Sequence, residues 1–361
     1  MFDDIPKCIL VADNAINHEK TLRPMLDRAR LRVGRAASLC GQHEAAHSGR
    51  SMDERIDMKT RTEDEIMALI LGPAEADERI RVVVMNGSRV NPNVTRDPFH
   101  DYDIATYVTD VEPFRSEGYV VPHFGEVIVV EQPVNGPWPP ADADGSYHNY
   151  NIQLLDGNRI DLSFSHVDRL KDEPADSLTT VLLDKDGRIP SLPPPNESSY
   201  SITRPTQELY NGCCTGFHLA LGSHIPKTIW RRELPLLKYY IEGWLRESVT
   251  MMLGWDIGIR TGWEKSLGSK GKHMESLLTP YVWNEYKRTY VDSDYDNLWE
   301  SLFLFHSIFR RSAEFVAEKC GFRFHRETAD RVLSFFEHVR TLPIESDRIY
   351  WSVEPSVPGN A

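Results

Sequence analysis

The sequence lacks most of the features that assign a chain quickly. No apolar run approaches the roughly 20 residues that a membrane-spanning helix needs. The longest candidates, such as SLFLFHSIF at 301–309, read as core helix. The N-terminus shows no basic head followed by an apolar stretch, so no secretory signal is expected. Cysteine is sparse and odd in number: Cys8, Cys40, Cys213, Cys214 and Cys320. No zinc-type spacing joins them, which argues against a disulfide framework and for a reducing cytoplasm. The adjacent Cys213 and Cys214 read as helix packing. There is no internal repeat, and the thirteen histidines offer no pair at metal-ligand spacing. Positive charge is also short, with 41 Lys/Arg against 54 Asp/Glu and a net charge of −13. Residues 1–57 hold nine of each sign, so the whole deficit falls on residues 58–361. That balance argues against a general affinity for nucleic acid backbones and suits a cationic small molecule.

At 361 residues the chain has room for two domains or one large one, with a real core. Residues 1–57 have irregular apolar spacing and one basic helical piece around Leu22–Leu39. They read as a loosely docked or disordered extension, or as sequence upstream of the natural start. From residue 58 the pattern becomes regular. Ile66, Leu69 and Ile70 keep helical spacing behind Thr62, with Glu65 placed for a capping box. IRVVVMNGS, DYDIATYVTD and GEVIVVEQ read as strands, and NIQLLDGNRIDLSF as a hairpin turning at Asp156-Gly157-Asn158. Residues 58–200 thus form a small unit with a mixed sheet, closed by the Pro- and Ser-rich stretch 184–201.

Helical patterns fill residues 201–345, and 346–361 form a tail. A long helix is expected over TIWRRELPLLKYYIEGWLRESVTMML, with Pro235 tolerated only in a first turn or at a kink. Thr279-Pro280 marks another helix start. A third helix is expected from a capping box of Ser293 and Asp296 to a stop at Gly321, with an apolar stripe of Leu298, Leu302, Phe305, Ile308 and Phe309.

The chemistry concentrates in NGSRVNPNVTRDPFHDYDI, residues 86–104. Alternate side chains of a strand share a face, so Asp101 and Asp103 put two carboxylates side by side. Like charges that close need a cation between them, and hard carboxylate oxygens suit magnesium. Asp161 on the hairpin's second strand offers a third acid if the strands are neighbours. Magnesium held by few protein ligands usually also holds phosphates. Gly87-Ser88 fits that need: a tight turn after a strand aims N–H groups and a hydroxyl at an anion, with Arg89 available to add charge. Lys270 and Lys272 in LGSKGKH, and more weakly Lys238 in LLKYY, are further phosphate candidates, although the loop lacks Walker spacing. His100 reads as a loop residue, and Glu126 ranks below Asp161 as a rival acid.

Gly87-Ser88, the twelve-residue gap and Asp101-Tyr102-Asp103 resemble the signature of the DNA polymerase β-like nucleotidyltransferase superfamily. MNGSRVNPN, DYDI, DGNRIDL, IWRRELP, KYY, GKH and SDYDNLWESLF resemble more closely the streptomycin adenylyltransferases, the aminoglycoside 6-adenylyltransferase family, from about Met58 to about Pro343. The resemblance leaves out residues 1–57. It implies an α+β chain: a nucleotidyltransferase-type mixed sheet with flanking helices, then a helical bundle. It implies transfer of AMP from ATP to a hydroxyl on streptomycin's streptidine ring. Asp101 and Asp103 would be magnesium ligands, Asp161 the third acid as ligand or general base, and Ser88 the triphosphate contact.

A polycationic drug calls for carboxylates and aromatic faces. Glu233, Asp256, Asp294 and Glu300 lie in family-like segments, but each reads first as a cap or a solvated charge. No protein partner, nucleic acid or membrane is implied. Other acceptors (another alcohol, a protein hydroxyl, an RNA end) and a non-catalytic nucleotide-binding module are the alternatives. A calcium-binding protein is remote, because no calcium loop with glycine at its sixth position is present.

Overall fold

The computed structural model describes residues 59–115, 117–133, 145–171 and 176–349. The expectations for residues 1–57 and for the end of the tail lie outside the described residues. From Thr60 onward the chain forms one compact unit.

Helix α1 (Glu63–Ala76) starts where the capping box predicts. The Thr62 hydroxyl accepts from the Glu65 N–H, and the Glu65 carboxylate accepts from the Thr62 N–H at 2.7 Å. Strands β1 (Ile80–Asn86) and β2 (Tyr102–Val108) follow, then helix α2 (Glu117–Phe124) and strands β3 (Val127–Glu131), β4 (Tyr147–Leu154), β5 (Arg159–His166) and β6 (Thr179–Asp184). The sheet order is β3-β4-β5-β2-β1-β6. Only β2 and β5 run parallel; the other neighbours are antiparallel, so the sheet is mixed as expected. The predicted hairpin joins β4 to β5, with Gly157 at φ +94°.

Strand alternation divides the sheet. Tyr102, Ile104, Tyr150, Ile152, Ile160, Leu162 and Phe164 point to one face and pack against Ile66, Ile70 and Ala74 of α1 and Val120 and Phe124 of α2. The opposite face has only a small apolar cluster at its β1 end: Val82, Val84 and Tyr107, with Leu170 and Ile189 folded over them. The rest of that face is open and mostly polar, with Val129 exposed on its β3 edge.

The helical half runs through α3 (Gln207–Leu219), α4 (Ile225–Trp230), α5 (Leu234–Tyr239), α6 (Arg246–Arg260), α7 (Met274–Leu277), α8 (Pro280–Lys287), α9 (Tyr295–Cys320) and α10 (Arg326–Thr341). One-turn π segments join α3 to α4 at Ala220–His224 and α5 to α6 at Tyr240–Leu245. All five residues of the predicted stripe on α9 are buried, and Phe309 stacks on Phe217 at 3.8 Å between ring centres. Cys213 is buried in this core, 3.5 Å from the Ser248 carbonyl; burial pushes its thiol up and that of Cys214 to about 11, which fits the packing role.

Four expectations change. β6 and α2 carried no recognisable pattern: β6 is an edge strand of half-buried residues, and α2 is short and interrupted by Pro122. The expected long helix breaks at Arg232, whose φ of +58° is left-handed, and restarts after Glu233 with Pro235 in its first turn. The cap of α9 is Asp294, not Ser293; its carboxylate accepts from the N–H groups of Asp296 and Asn297. Thr279-Pro280 and Gly321, at φ +75°, act as predicted.

Two tests follow from the packing. Phe309→Ala removes a stacked core ring and should destabilise the helical half by about 3–5 kcal/mol in denaturant unfolding. His148 is 1 % exposed, and neither ring nitrogen has a partner among the described residues. Burial, helped by Arg115, lowers its pKa from 6.5 to about 4. The unfolded chain therefore takes up a proton below about pH 6.5 that the folded chain refuses until about pH 4. Stability from this residue is full above that window and lost as pH falls through it. His148→Phe should show a shallower loss of stability between pH 6.5 and 4, by up to one proton.

Candidate active site

The open face carries one transverse row of paired residues. Reading across the sheet, Glu131 pairs with Asn151, Asn151 with Asp161, Asp161 with Asp103, Asp103 with Asn86 and Asn86 with Thr179. Every member is polar. The Asn151 amide donates to Glu131 at 2.9 Å, and the Thr179 hydroxyl donates to Asn86 at 2.8 Å. The centre of the row is two aspartates on parallel neighbouring strands. Asp101, just ahead of β2, completes a triad whose carboxylate oxygens lie within 4.8 Å of one another. A shallow depression of about 180 Å³ runs beside it, lined by Tyr147, Asn149, Asn151, Asp161 and Ser163 among others.

Glycine at 87 is set by this arrangement. Its φ is +76°, and a Cβ there would lie 2.2 Å from Asp103 Oδ2. The Gly87 N–H donates to the Leu178 carbonyl at 3.0 Å, and a single 3₁₀ turn, Gly87–Val90, presents Ser88 next to it. The Asp103 carboxyl is pushed up to about 6, first by burial and then by Asp101 and Asp161, with Arg159 opposing. An acid held in that state gains from any added positive charge, and the donor set is all oxygen. The triad therefore fits a hard divalent cation.

Sequence reasoning missed Arg159. Its guanidinium grips both oxygens of Asp161, at 3.0 and 2.8 Å, and its Nε lies 3.9 Å from Asp101 Oδ2. The signal was present: Arg159 stands two residues before Asp161, on the same face of the same strand. The hairpin ahead of it is pinned by Asp156, which accepts from Arg61 and from the Asn158 N–H and is held at about 2 despite its burial. The alternation of YHNYNIQL would likewise have put Tyr147, Asn149 and Asn151 on one face.

The remaining candidates are dispersed. Arg89, which the sequence left open between added charge at the turn and solvent, is turned to the backbone in this geometry. Its guanidinium stacks on Tyr102 at 3.6 Å, donates to the carbonyls of His100 and Asp101, and pairs with Glu63. It thus holds the backbone that carries Asp101. Lys238 donates to the carbonyls of Val291 and Asp292, and Lys270 pairs with Glu247 at 2.9 Å. Lys272 is exposed in the same loop as Lys270. Glu126 is exposed ahead of β3, an edge strand that β4 separates from the strand of Asp161. Glu233 and Asp294 sit at helix starts, Asp256 pairs with Arg260 and accepts from Ser312, and Glu300 pairs with Arg340.

The chain has recognisable relatives among known proteins. A family model described as "Streptomycin adenylyltransferase" matches residues 60–339. A Bacillus subtilis (strain 168) protein named aminoglycoside 6-adenylyltransferase is 34% identical over 73% of this chain and 93% of its own. Proteins of the same name from Campylobacter jejuni and Staphylococcus aureus are 31% and 29% identical, over 73% and 69% of this chain and 91% and 89% of their own. A crystal structure of a Bacillus subtilis aminoglycoside 6-adenyltransferase aligns at 28% identity, covering 78% of this chain and all of that one, with a TM-score of 0.39. With a matching segment that takes in the sheet, the acidic triad and nearly all of the helical half, the chain belongs to the streptomycin adenylyltransferase family.

Proposed function

We propose that this protein transfers AMP from ATP to a hydroxyl of an aminoglycoside, with the 6-hydroxyl of streptomycin as acceptor, releasing pyrophosphate and conferring resistance to the drug. The observation that carries the reading is the convergence of Asp101, Asp103 and Asp161 beside the Gly87-Ser88 turn. The names of the relatives supply the acceptor class. Asp101 and Asp103 would hold magnesium. When bound, the ion supplies charge neutralisation for the triphosphate and acidifies the acceptor hydroxyl.

The chain's own groups do the rest. The Ser88 hydroxyl donates to phosphate oxygens, while the Gly87 N–H stays on the Leu178 carbonyl and fixes the turn. Lys270 and Lys272 remain candidates for the same anion. Asp161 accepts a hydrogen bond from the acceptor hydroxyl and orients it, and serves as the proton's destination or as a further ligand. Asn149 and Asn151 offer donors and acceptors to a polyhydroxylated ring in the depression beside Asp161. Attack at the α-phosphorus needs positioning and charge neutralisation more than covalent help. The excess of acid over base favours approach of a polycationic drug. No helix among the described residues is long and apolar enough to cross a membrane, and a cytoplasmic site with access to ATP suits the reaction.

Pyrophosphate release from ATP and magnesium, with and without streptomycin, tests the reading. Release should require streptomycin and fall by about 10²–10³-fold or more in Asp103→Ala. Release that ignores streptomycin, or none from folded protein, would refute the acceptor. Gly87→Ala should drive a methyl into the Asp103 carboxylate. We expect about tenfold or greater loss of turnover, with a stability cost of about 1–3 kcal/mol from the left-handed φ, read by the same assay and by thermal melting.

A further inference from the structure

Arg159 opens β5, so its side chain leaves the strand on the same face as Asp161. The guanidinium lies against two members of the triad at once, doubly bonded to Asp161 and 3.9 Å from Asp101. Among the described residues, those two carboxylates are the only hydrogen-bond or ion-pair partners of its side chain. The side chain is 47% exposed. Arg246 makes a useful contrast: it is also paired with a carboxylate, but it is buried beneath Tyr290 and bonded to Thr289 as well. Arg246 is fixed, whereas nothing besides the acids holds Arg159.

We propose that Arg159 is the resident counter-ion of the acidic site, and that a divalent cation entering the triad displaces it. The inference rests on reading the triad as a metal site. A guanidinium cannot shed its proton, so it cannot escape a nearby dication by becoming neutral. It must move away or repel the incoming ion. Its position at the start of a strand and its exposed, long stem let it swing into solvent without disturbing the core. In the free protein it offsets the mutual repulsion of the acids and so keeps the cluster preformed. The rival geometry leaves Arg159 in place behind Asp161, orienting the carboxylate while a free lone pair faces the metal. The two geometries predict opposite signs. Removing a competitor strengthens metal binding; removing an orienting group weakens it.

The test is Mn²⁺ binding to the full chain without nucleotide, read by water-proton relaxation at pH 8.5, where the carboxylates are ionised. Arg159→Met keeps the aliphatic stem and removes the charge. Its Kd for Mn²⁺ should fall on the order of tenfold, and Arg159→Lys should lie near the wild type. An unchanged or weaker affinity in Arg159→Met overturns the inference while leaving the metal-site reading intact. Absence of Mn²⁺ binding in wild type and variant alike removes that reading and this inference together. A second measurement does not depend on a folded variant. The Arg159 Nε–Hε resonance of the wild type should shift when Mg²⁺ is added, and a signal unmoved at saturating Mg²⁺ overturns displacement.

Discussion

Three carboxylates with oxygens within 4.8 Å of one another repel, and the sheet half is arranged around holding them there. Two come from β2 and β5, whose parallel pairing sets Asp103 directly beside Asp161. The third is fixed through its backbone, because Arg89 donates to the carbonyls of His100 and Asp101 while its plane rests on Tyr102. Gly87 gives Asp103 its space, and Arg159 returns part of the missing positive charge. Burial, and after it Asp101 and Asp161, pushes the Asp103 carboxyl up to about 6. Carboxylates gathered in this way gain from any cation that enters among them.

The sheet can bear this because its two faces have different tasks. One face is sealed by α1 and α2 over a continuous apolar layer. That layer supplies most of the burial that stabilises the unit, and the other face packs only at its β1 end. On the open face, a polar row crosses all six strands and is hydrogen-bonded at both ends. The residues at each end bond to each other, and the two aspartates lie between them.

The helical half has its own core and its own use of charge. Lys238 is bound to the carbonyls ahead of α9, and Asp294 caps that helix. Asp256 and Glu300 pair with arginines. In the sequence the three acids lie in family-like segments but read first as caps or solvated charges, and in the fold each has a partner within the helical half. A motif can be kept by a cap or an ion pair as readily as by a substrate.

Local interactions are what the sequence by itself determined. Thr62 with Glu65, Thr279-Pro280 and Gly321 act within a turn of their own position. The alternation of β1, β2 and the β4–β5 hairpin records a face that must be buried. The aspartates at 101 and 103 were legible for the same reason, since strand geometry alone puts them on one side. Tertiary structure decided whatever depends on a distant neighbour. The sequence offered Asp161 as a third acid only on condition that its strand lay beside β2, and the parallel pairing of β2 with β5 meets that condition. The direction of Arg89 was open, because a guanidinium beside a turn can face solvent, phosphate or backbone; the ring of Tyr102 and two carbonyls decide it. β6 and α2 were invisible, as an edge strand and an eight-residue helix have too few buried positions to leave a period. The break at Arg232 was equally hidden, because helical spacing continues on both sides of it while the chain turns at a single left-handed residue.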